Sequence, residues 1–556
     1  MSESFDHTFD VVVVGTGAAG FATAMGAADE GLSAVLLEGT DRWGGSTSMS
    51  GGGMWLPDNP LMQRDKAGDS RDEALAYLEA TVGDAGPATS RERKEAFVDG
   101  VDGFVTLAEK HGVRFARAAD YPDYYPERPG GKIGRALEVE PFDVHRIGDW
   151  WETSRGQDGV PAPVKTDDFW LLSRAWSTPS GFTRGARVVF RVLGSLARRR
   201  QEVGMGAAVT ASLLEVAQRL GVQVWLSSPL EELLSDDGRI VGVRTTRDGR
   251  ALRLEARAGV VLGGGGFDHN AEWRQRYQQV DGSASSGSKG NLGTAIDAGL
   301  RVGAAVALMD DAWWGGSIPP VAGGSPSFLV SERSMPFSIM VDAAGDRFAN
   351  ESESYVDLGH HMREHARTVP GTFWMIADAR HARRYLRSYA LDPRAVKAMT
   401  EAGVMVKAPS LAGLATRLGV DPARLSATVD RFNGFARSGV DQDFARGNSA
   451  YDRYYGDPLV HPNPNLGPLE KGPFVAVQVV TGDLGTKGGL LTDADARVLR
   501  PDGSAIAGLY ATGNNSASVM GNTYPGPGST LGPAAVFGHL AGLHAIAAQH
   551  LEGASR

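Results

Sequence analysis

The chain has 556 residues, with 56 Lys and Arg against 66 Asp and Glu, and no cysteine. A net charge of −10 argues against a general nucleic-acid binder, which needs basic surface to displace counterions. The missing thiols exclude disulfides, Cys-ligated zinc or iron–sulfur centres and a thiol nucleophile, and they fit a cytoplasmic protein.

The opening residues MSESFDHTFD are polar and acidic, so no secretory signal is expected. No apolar run reaches the ~18 residues a membrane-spanning helix needs. Residues 9–14 read FDVVVV, the β-branched pattern of a strand buried on both faces. Gly15-Thr16-Gly17-Ala18-Ala19-Gly20 follows, then an Ala-rich helical stretch to about residue 30, then a second buried strand at 32–38 ending in Glu38. A strand, a glycine turn, a helix and an acid at this spacing form a dinucleotide fingerprint. Gly15 makes the turn and Gly17 admits a pyrophosphate. Ala18 and Ala19 open the helix whose N-terminus holds the anion, Gly20 lets helix and strand pack, and Glu38 accepts from ribose hydroxyls.

A second glycine tract follows at 44–53, with Gly44, Gly45, Ser46, Thr47, Gly51 and Gly52 as candidate cofactor contacts. It favours FAD over NAD, because a flavin needs backbone close to both its phosphates and its flat ring. Residues 71–118 read as helical, and 120–180, rich in Pro, Gly, Tyr and Trp, as long ordered loops. Between 184 and 200 arginines interleave with apolar residues. The pattern suits either a solvated helix or one lying on an anionic membrane surface.

A helix is predicted at 205–221 and a strand at 222–226. A hairpin is predicted around Asp248-Gly249, and a buried strand over 258–267 running into Gly263–Gly266. The composition shifts after about 315. Residues 508–513 read as a strand returning to the first sheet, bringing Gly513 and Asn514, and 534–551 as a closing helix. Ser529 and Leu531 lie in the glycine-rich segment that opens that helix. The fold class is α/β: a Rossmann-like FAD-binding domain built from both chain ends (1–315 and 486–556) with an inserted α+β catalytic domain (316–485). His360, His361 and His365 read as surface histidines, and no metal is expected. There is no G-x-S-x-G elbow or P-loop.

Several segments together resemble a known family. They are GGSTSMSGGGMWLP (44–57), YPDYYPERPGGKIGR (121–135), DDAWWG (310–315), GDRFANESESYVD (345–357), RFNGFARSGVDQDFARG (431–447), GDLGTKGGL (482–490) and TYPGPGSTLGPA (523–534). The chain resembles the flavoprotein oxidoreductases of the fumarate reductase and succinate dehydrogenase type. Within them it is most similar to the 3-ketosteroid delta-1-dehydrogenases of steroid breakdown.

The resemblance implies a C1–C2 double bond placed in the A ring of a 3-ketosteroid, with hydride leaving C1 for flavin N5. It implies Tyr524 and the Gly528 N–H as donors to the C3 carbonyl, Tyr355 as the base at C2, and Tyr124 as its hydroxyl neighbour. Donors on a carbonyl make the adjacent proton acidic, which gives these residues chemical sense. Among Tyr121, Tyr124 and Tyr125, the PDYY segment favours Tyr124.

The segments where fumarate reductases place His and Arg for dicarboxylates read GTKGG (485–489) and NTYPG (522–526), which suits a neutral ketone. No His lies near Ser46, so FAD is expected to be non-covalent. Trp313, Trp314, Met335, Phe337, Ile339, Val519 and Met520 are candidate walls of an apolar slot. The expected partners are a 3-ketosteroid and a quinone-like electron acceptor, with the oligomeric state open. A dehydrogenase of another cyclic ketone, or of the steroid 4,5 bond, is the alternative.

Overall fold

The computed structural model describes residues 4–158, 162–321 and 323–554. Strand β1 (His7–Val14) is fully buried from Phe9 onward, as its β-branched run requires. Helix α1 (Ala18–Asp29) follows the glycine turn, and β2 (Ala34–Leu37) returns parallel to β1, pairing Val11 with Ala34 and Val14 with Leu37.

Beyond two short helical turns, Gly45–Met49 and Pro60–Arg64, stand the longer helices α2 (Arg71–Thr81) and α3 (Arg91–Lys110), started by the side-chain caps Ser70 and Ser90. Helices α4 (Thr166–Leu172) and α5 (Pro179–Ala197) occupy part of the stretch expected to be loop and the basic segment beyond it. Thr178 caps α5, and Pro179 at its first position needs no amide partner. Helix α6 (Met205–Arg219) and strand β3 (Gln223–Trp225) fall where they are predicted.

Strands β4 (Leu230–Asp236), β5 (Arg239–Arg247) and β6 (Arg250–Leu262) form an antiparallel meander. The hairpin strand and the following buried strand are one continuous 13-residue strand, β6. Its first part serves the hairpin, and its last residues pair in parallel with β1.

The second sheet uses β7 (Ala312–Ile318), β8 (Ser327–Phe328) and β9 (Ser338–Val341). Helix α7 (Tyr355–Thr368) packs on β7. Strands β10 (Phe373–Ala377), β11 (Met405–Ala408) and β12 (Phe474–Thr486) complete that sheet. The chain then returns through β13 (Arg497–Leu499) and β14 (Ala505–Ala511) to helix α8 (Leu531–Ala554), which lies along α1.

Two sheets result. The first runs β13-β14-β6-β1-β2-β3, with β5 and β4 attached beyond β6. Its parallel centre is made by strands from both ends of the chain. The second is antiparallel, β8-β7-β12-β10-β9, with β11 also on β12. The chain is therefore an α/β Rossmann-like unit built from both termini, with an inserted α+β unit. Strands β1, β6 and β14 all end at one edge, where open parallel sheets bind their ligands. No helix among the described residues is long and apolar enough to cross a membrane.

Candidate active site

The carboxyl ends of β1, β6 and β14 deliver Gly15, Gly263 and Gly513 to one cavity of about 580 Å3. The second tract contributes Gly45, Ser46, Thr47, Gly51, Gly52 and Gly53. Four glycine tracts far apart in sequence thus surround one space. Ala18, Ala19, Asn514 and Leu531 also line it.

Glu38 stands at the end of β2 and lines the cavity. It accepts from Thr16 Oγ1 at 2.5 Å and from Thr40 Oγ1 at 2.8 Å. Thr47 Oγ1 accepts from the Ala18 N–H at the start of α1, and Ser46 Oγ accepts from Ser288 N and Asn291 Nδ2. Ser288 and Asn291 are lining residues that carried no sequence signal.

Three expected contacts stand behind the wall instead. A Cβ on Gly20 would lie 2.0 Å from the Gly15 carbonyl oxygen, so Gly20 permits packing rather than facing the cavity. The Gly44 N–H donates to Thr16 Oγ1. Ser529 Oγ donates to the Gly526 carbonyl and accepts from its N–H, pinning the turn.

At the other end of the cavity stand Tyr124, Tyr355, Tyr524 and Gly528. The Tyr124 and Tyr524 rings stack with centroids 5.1 Å apart. Tyr355 lies 5.5 Å from the first and 5.0 Å from the second. The Tyr355 hydroxyl interacts electrostatically with those of both Tyr124 and Tyr524. Burial pushes the phenols of Tyr124 and Tyr355 well above the ordinary tyrosine range. Burial also raises Tyr524, but Tyr355, Thr530 and the Gly528 and Thr530 amides oppose it. Tyr524 is therefore a neutral phenol at physiological pH. Tyr355 opens α7, where the positive end of the helix dipole favours a phenolate.

Tyr121 also lines the cavity and hydrogen-bonds Tyr455. Tyr125 turns away to donate to Asp357 at 2.9 Å. Of the three candidates in the YPDYY segment, Tyr124 is the one against both Tyr355 and Tyr524. The Tyr451 ring packs 4.3 Å from it, a neighbour that sequence reasoning missed.

A buried scaffold fixes the turn carrying Tyr524. The Pro525 carbonyl accepts from Tyr77 Oη at 2.6 Å and from the Tyr124 amide at 2.9 Å. Tyr77 Oη in turn accepts from the Tyr125 amide. Beside it, Arg135 pairs with Asp69 at 2.7 Å and Asp123 at 2.8 Å, and Asp123 also accepts from Trp55 Nε1. Burial pushes the Asp123 carboxyl up to about 6, against the pull of Arg135.

Gly528 has φ +93°, and a Cβ there would lie 2.1 Å from the Gly53 carbonyl, so no other residue fits without displacing the glycine tract at 51–53. Trp313 packs edge-on to Tyr524 at 5.3 Å, with the Lys487 ammonium 4.9 Å from its ring. Lys487 pairs with Asp311. Burial opposes ionisation of that carboxyl, but Lys487 and His360 bring it down to about 2.

None of the expected apolar walls lines the cavity. Trp313 sits behind Tyr524, and Trp314 under Arg274 and Arg363. Met335 and Phe337 pack with Tyr385, and Ile339, Val519 and Met520 lie in the cores. The apolar lining comes instead from Met49, Phe169, Met205, Phe328, Val330 and Leu484. His360, His361 and His365 bond three different carboxylates, Asp311, Glu353 and Asp342.

The FAD binding domain family model matches residues 10–531. The chain belongs to this family. FAD is its cofactor, and the glycine cradle with Glu38 at one end fits that group. The chain is 44% identical to a 3-oxosteroid 1-dehydrogenase of Mycolicibacterium smegmatis, over 96% of each chain. It is 36% identical to a 4-oxocyclohex-2-ene-1-carboxylate 5-dehydrogenase of Sinomonas cyclohexanicum, over 96% of this chain and 93% of that one. The crystal structure of a 3-ketosteroid delta1-dehydrogenase from Sterolibacterium denitrificans, in complex with 1,4-androstadiene-3,17-dione, superposes with a TM-score of 0.90. It is 36% identical and covers 97% of this chain and 100% of that chain.

Proposed function

We propose that the chain is a FAD-dependent 3-ketosteroid delta-1-dehydrogenase that introduces the C1–C2 double bond of the A ring. The observation that carries this reading is the convergence of Tyr524, Gly528, Tyr355 and Tyr124 at one end of the glycine-lined cavity. Tyr524 donates its hydroxyl, and Gly528 its amide, to the C3 oxygen. Their hydrogen bonds strengthen as charge builds on that oxygen and favour the enolate. Tyr355 takes the proton from C2, with Tyr124 as its hydroxyl neighbour and the α7 N-terminus favouring the phenolate. Bound FAD supplies the hydride acceptor. Ser46, Thr47 and the glycine tracts hold it without a covalent link, since no His lines the cavity among the described residues.

The test is anaerobic mixing with a 3-keto-4-ene steroid. The flavin colour is expected to bleach and a 1,4-diene to appear. No bleaching overturns the reading. Tyr524→Phe is expected to lower the rate by about 10²–10³-fold, the usual worth of one oxyanion donor. A near-normal rate overturns its role.

The Sinomonas relative supports a second reading, a carboxylated cyclohexanone. A carboxylate needs a cation, and among the described residues neither Lys nor Arg lines the cavity. The steroid reading is therefore preferred. Faster bleaching by 4-oxocyclohexanecarboxylate than by the steroid reverses that preference.

A further inference from the structure

Helix α5 is amphipathic in the wrong sense for a helix facing water. Its inner face is polar and ionic. Arg184 and Arg191 both pair with Asp168, at 3.2 and 3.1 Å, and Ser195 Oγ donates to Glu202 at 2.5 Å. Its outer face carries Phe182, Val189, Phe190, Leu193 and Leu196, each 55–72% exposed. These residues recur at the three-to-four spacing that puts them on one side of the helix. Trp176, 70% exposed, extends the patch just ahead of the helix. Large side chains of this kind are normally buried, and a contiguous exposed group of them marks a contact surface.

Charge decides the contact. The chain as a whole is acidic, yet seven arginines and no acidic residue stand between Asp168 and Glu202. Arg187, Arg198 and Arg199 are exposed and have no carboxylate partner among the described residues. They flank the apolar face along the helix and at its C-terminal end. A two-fold contact with a second copy would set these arginines against their own images, which is repulsive. An anionic lipid surface satisfies both features at once. It takes the apolar side chains into the acyl boundary, and its headgroups meet the guanidinium groups.

We propose that α5, with Trp176, is a peripheral membrane-docking helix that lies in the plane of an anionic lipid surface. Helix α4, which leads into α5, supplies Thr166 and Phe169 to the cavity wall. Docking therefore sets this side of the cavity toward the lipid. The further consequence, loading of a membrane-dissolved steroid from that side, rests on the reaction proposed above, whereas docking itself does not.

The test is sedimentation of the holoenzyme with vesicles of phosphatidylcholine alone, or with about one-third phosphatidylglycerol added. The native protein is expected to pellet with the anionic vesicles and far less with the neutral ones. Phe190→Asp with Leu193→Asp should reduce that partition at least about tenfold. Arg198→Glu with Arg199→Glu should abolish the preference for phosphatidylglycerol. Retained flavin absorbance and an unchanged melting temperature show that the variants are folded. Native protein that stays in the supernatant with both vesicles overturns the proposal, as does a Phe190/Leu193 variant that pellets like the native chain. A dimer in light scattering that the same variant dissociates assigns the face to a second copy and also overturns it. None of these readouts depends on the steroid reaction.

Discussion

Tyr355, as the proposed base, faces two opposing demands. A base must give up its proton, yet burial among Tyr124 and Tyr524 holds this phenol well above the ordinary tyrosine range. At neutral pH only a small fraction is ionised, and that fraction grows about tenfold per pH unit below the pKa. The rate is therefore expected to climb with pH from about 7 into the alkaline range, reported by kcat/KM for a steroid ketone. The climb should end when Tyr524, itself raised, begins to lose the proton it donates. A profile that is flat or falls with rising pH removes Tyr355 from the role of base. Tyr355→Phe should cost about 10²–10⁴-fold in kcat while steroid binding, read by the flavin spectral shift, changes little. Equal loss in binding and turnover would mark the residue as wall rather than base.

The turn that carries Tyr524 is held by elements far from it in sequence, α2 through Tyr77 and the loop after α3 through Asp123 and Arg135. The Arg135 guanidinium and both carboxylates it bridges are essentially unexposed. Arg135→Met strands two buried acids and should cost about 3–5 kcal/mol in denaturant unfolding. Tyr77→Phe removes one donor to the Pro525 carbonyl and the acceptor for the Tyr125 amide, a loss of about 1–3 kcal/mol. It should also lower kcat about tenfold or more, because a small displacement of Tyr524 misplaces the carbonyl donor. Unchanged kcat in a destabilised Tyr77 variant would show that the scaffold stabilises the fold without positioning the site.

These elements show why sequence went only so far. The β1-turn-α1-β2 unit was legible because each glycine answers a local backbone demand and Glu38 sits at a fixed offset. Tyr124, Tyr355 and Tyr524 were legible through the family resemblance of the segments that carry them, YPDYY, NESESY and TYPGPG. The apolar lining was not, since Phe169, Phe328 and Leu484 have the same local signature as any core residue. The tryptophans chosen for it pack behind the site instead. The pairing of Asp123 with Arg135, and of Tyr124 with Tyr451, depends on tertiary approach that no spacing encodes.

At the scale of the molecule, the cavity is a seam. Gly15, Glu38 and Gly513 belong to the parallel sheet, whereas Phe328, Val330, Tyr355 and Leu484 come from the inserted unit. A cofactor lying along the seam touches both and exists in neither unfolded unit, so its binding energy adds to the stability of the whole. Removing FAD is expected to lower the melting temperature, and adding it back to restore the loss in a concentration-dependent way. At 100-fold excess over Kd the gain is about 2.7 kcal/mol, about two degrees for a chain of this size. FMN should restore much less, because it has no adenosine ribose for Glu38 to bind. Equal rescue by FMN would mean that the Glu38 end of the cavity contributes nothing to holding the cofactor. An unchanged melting temperature on FAD removal would mean that the two units are joined by protein contacts alone.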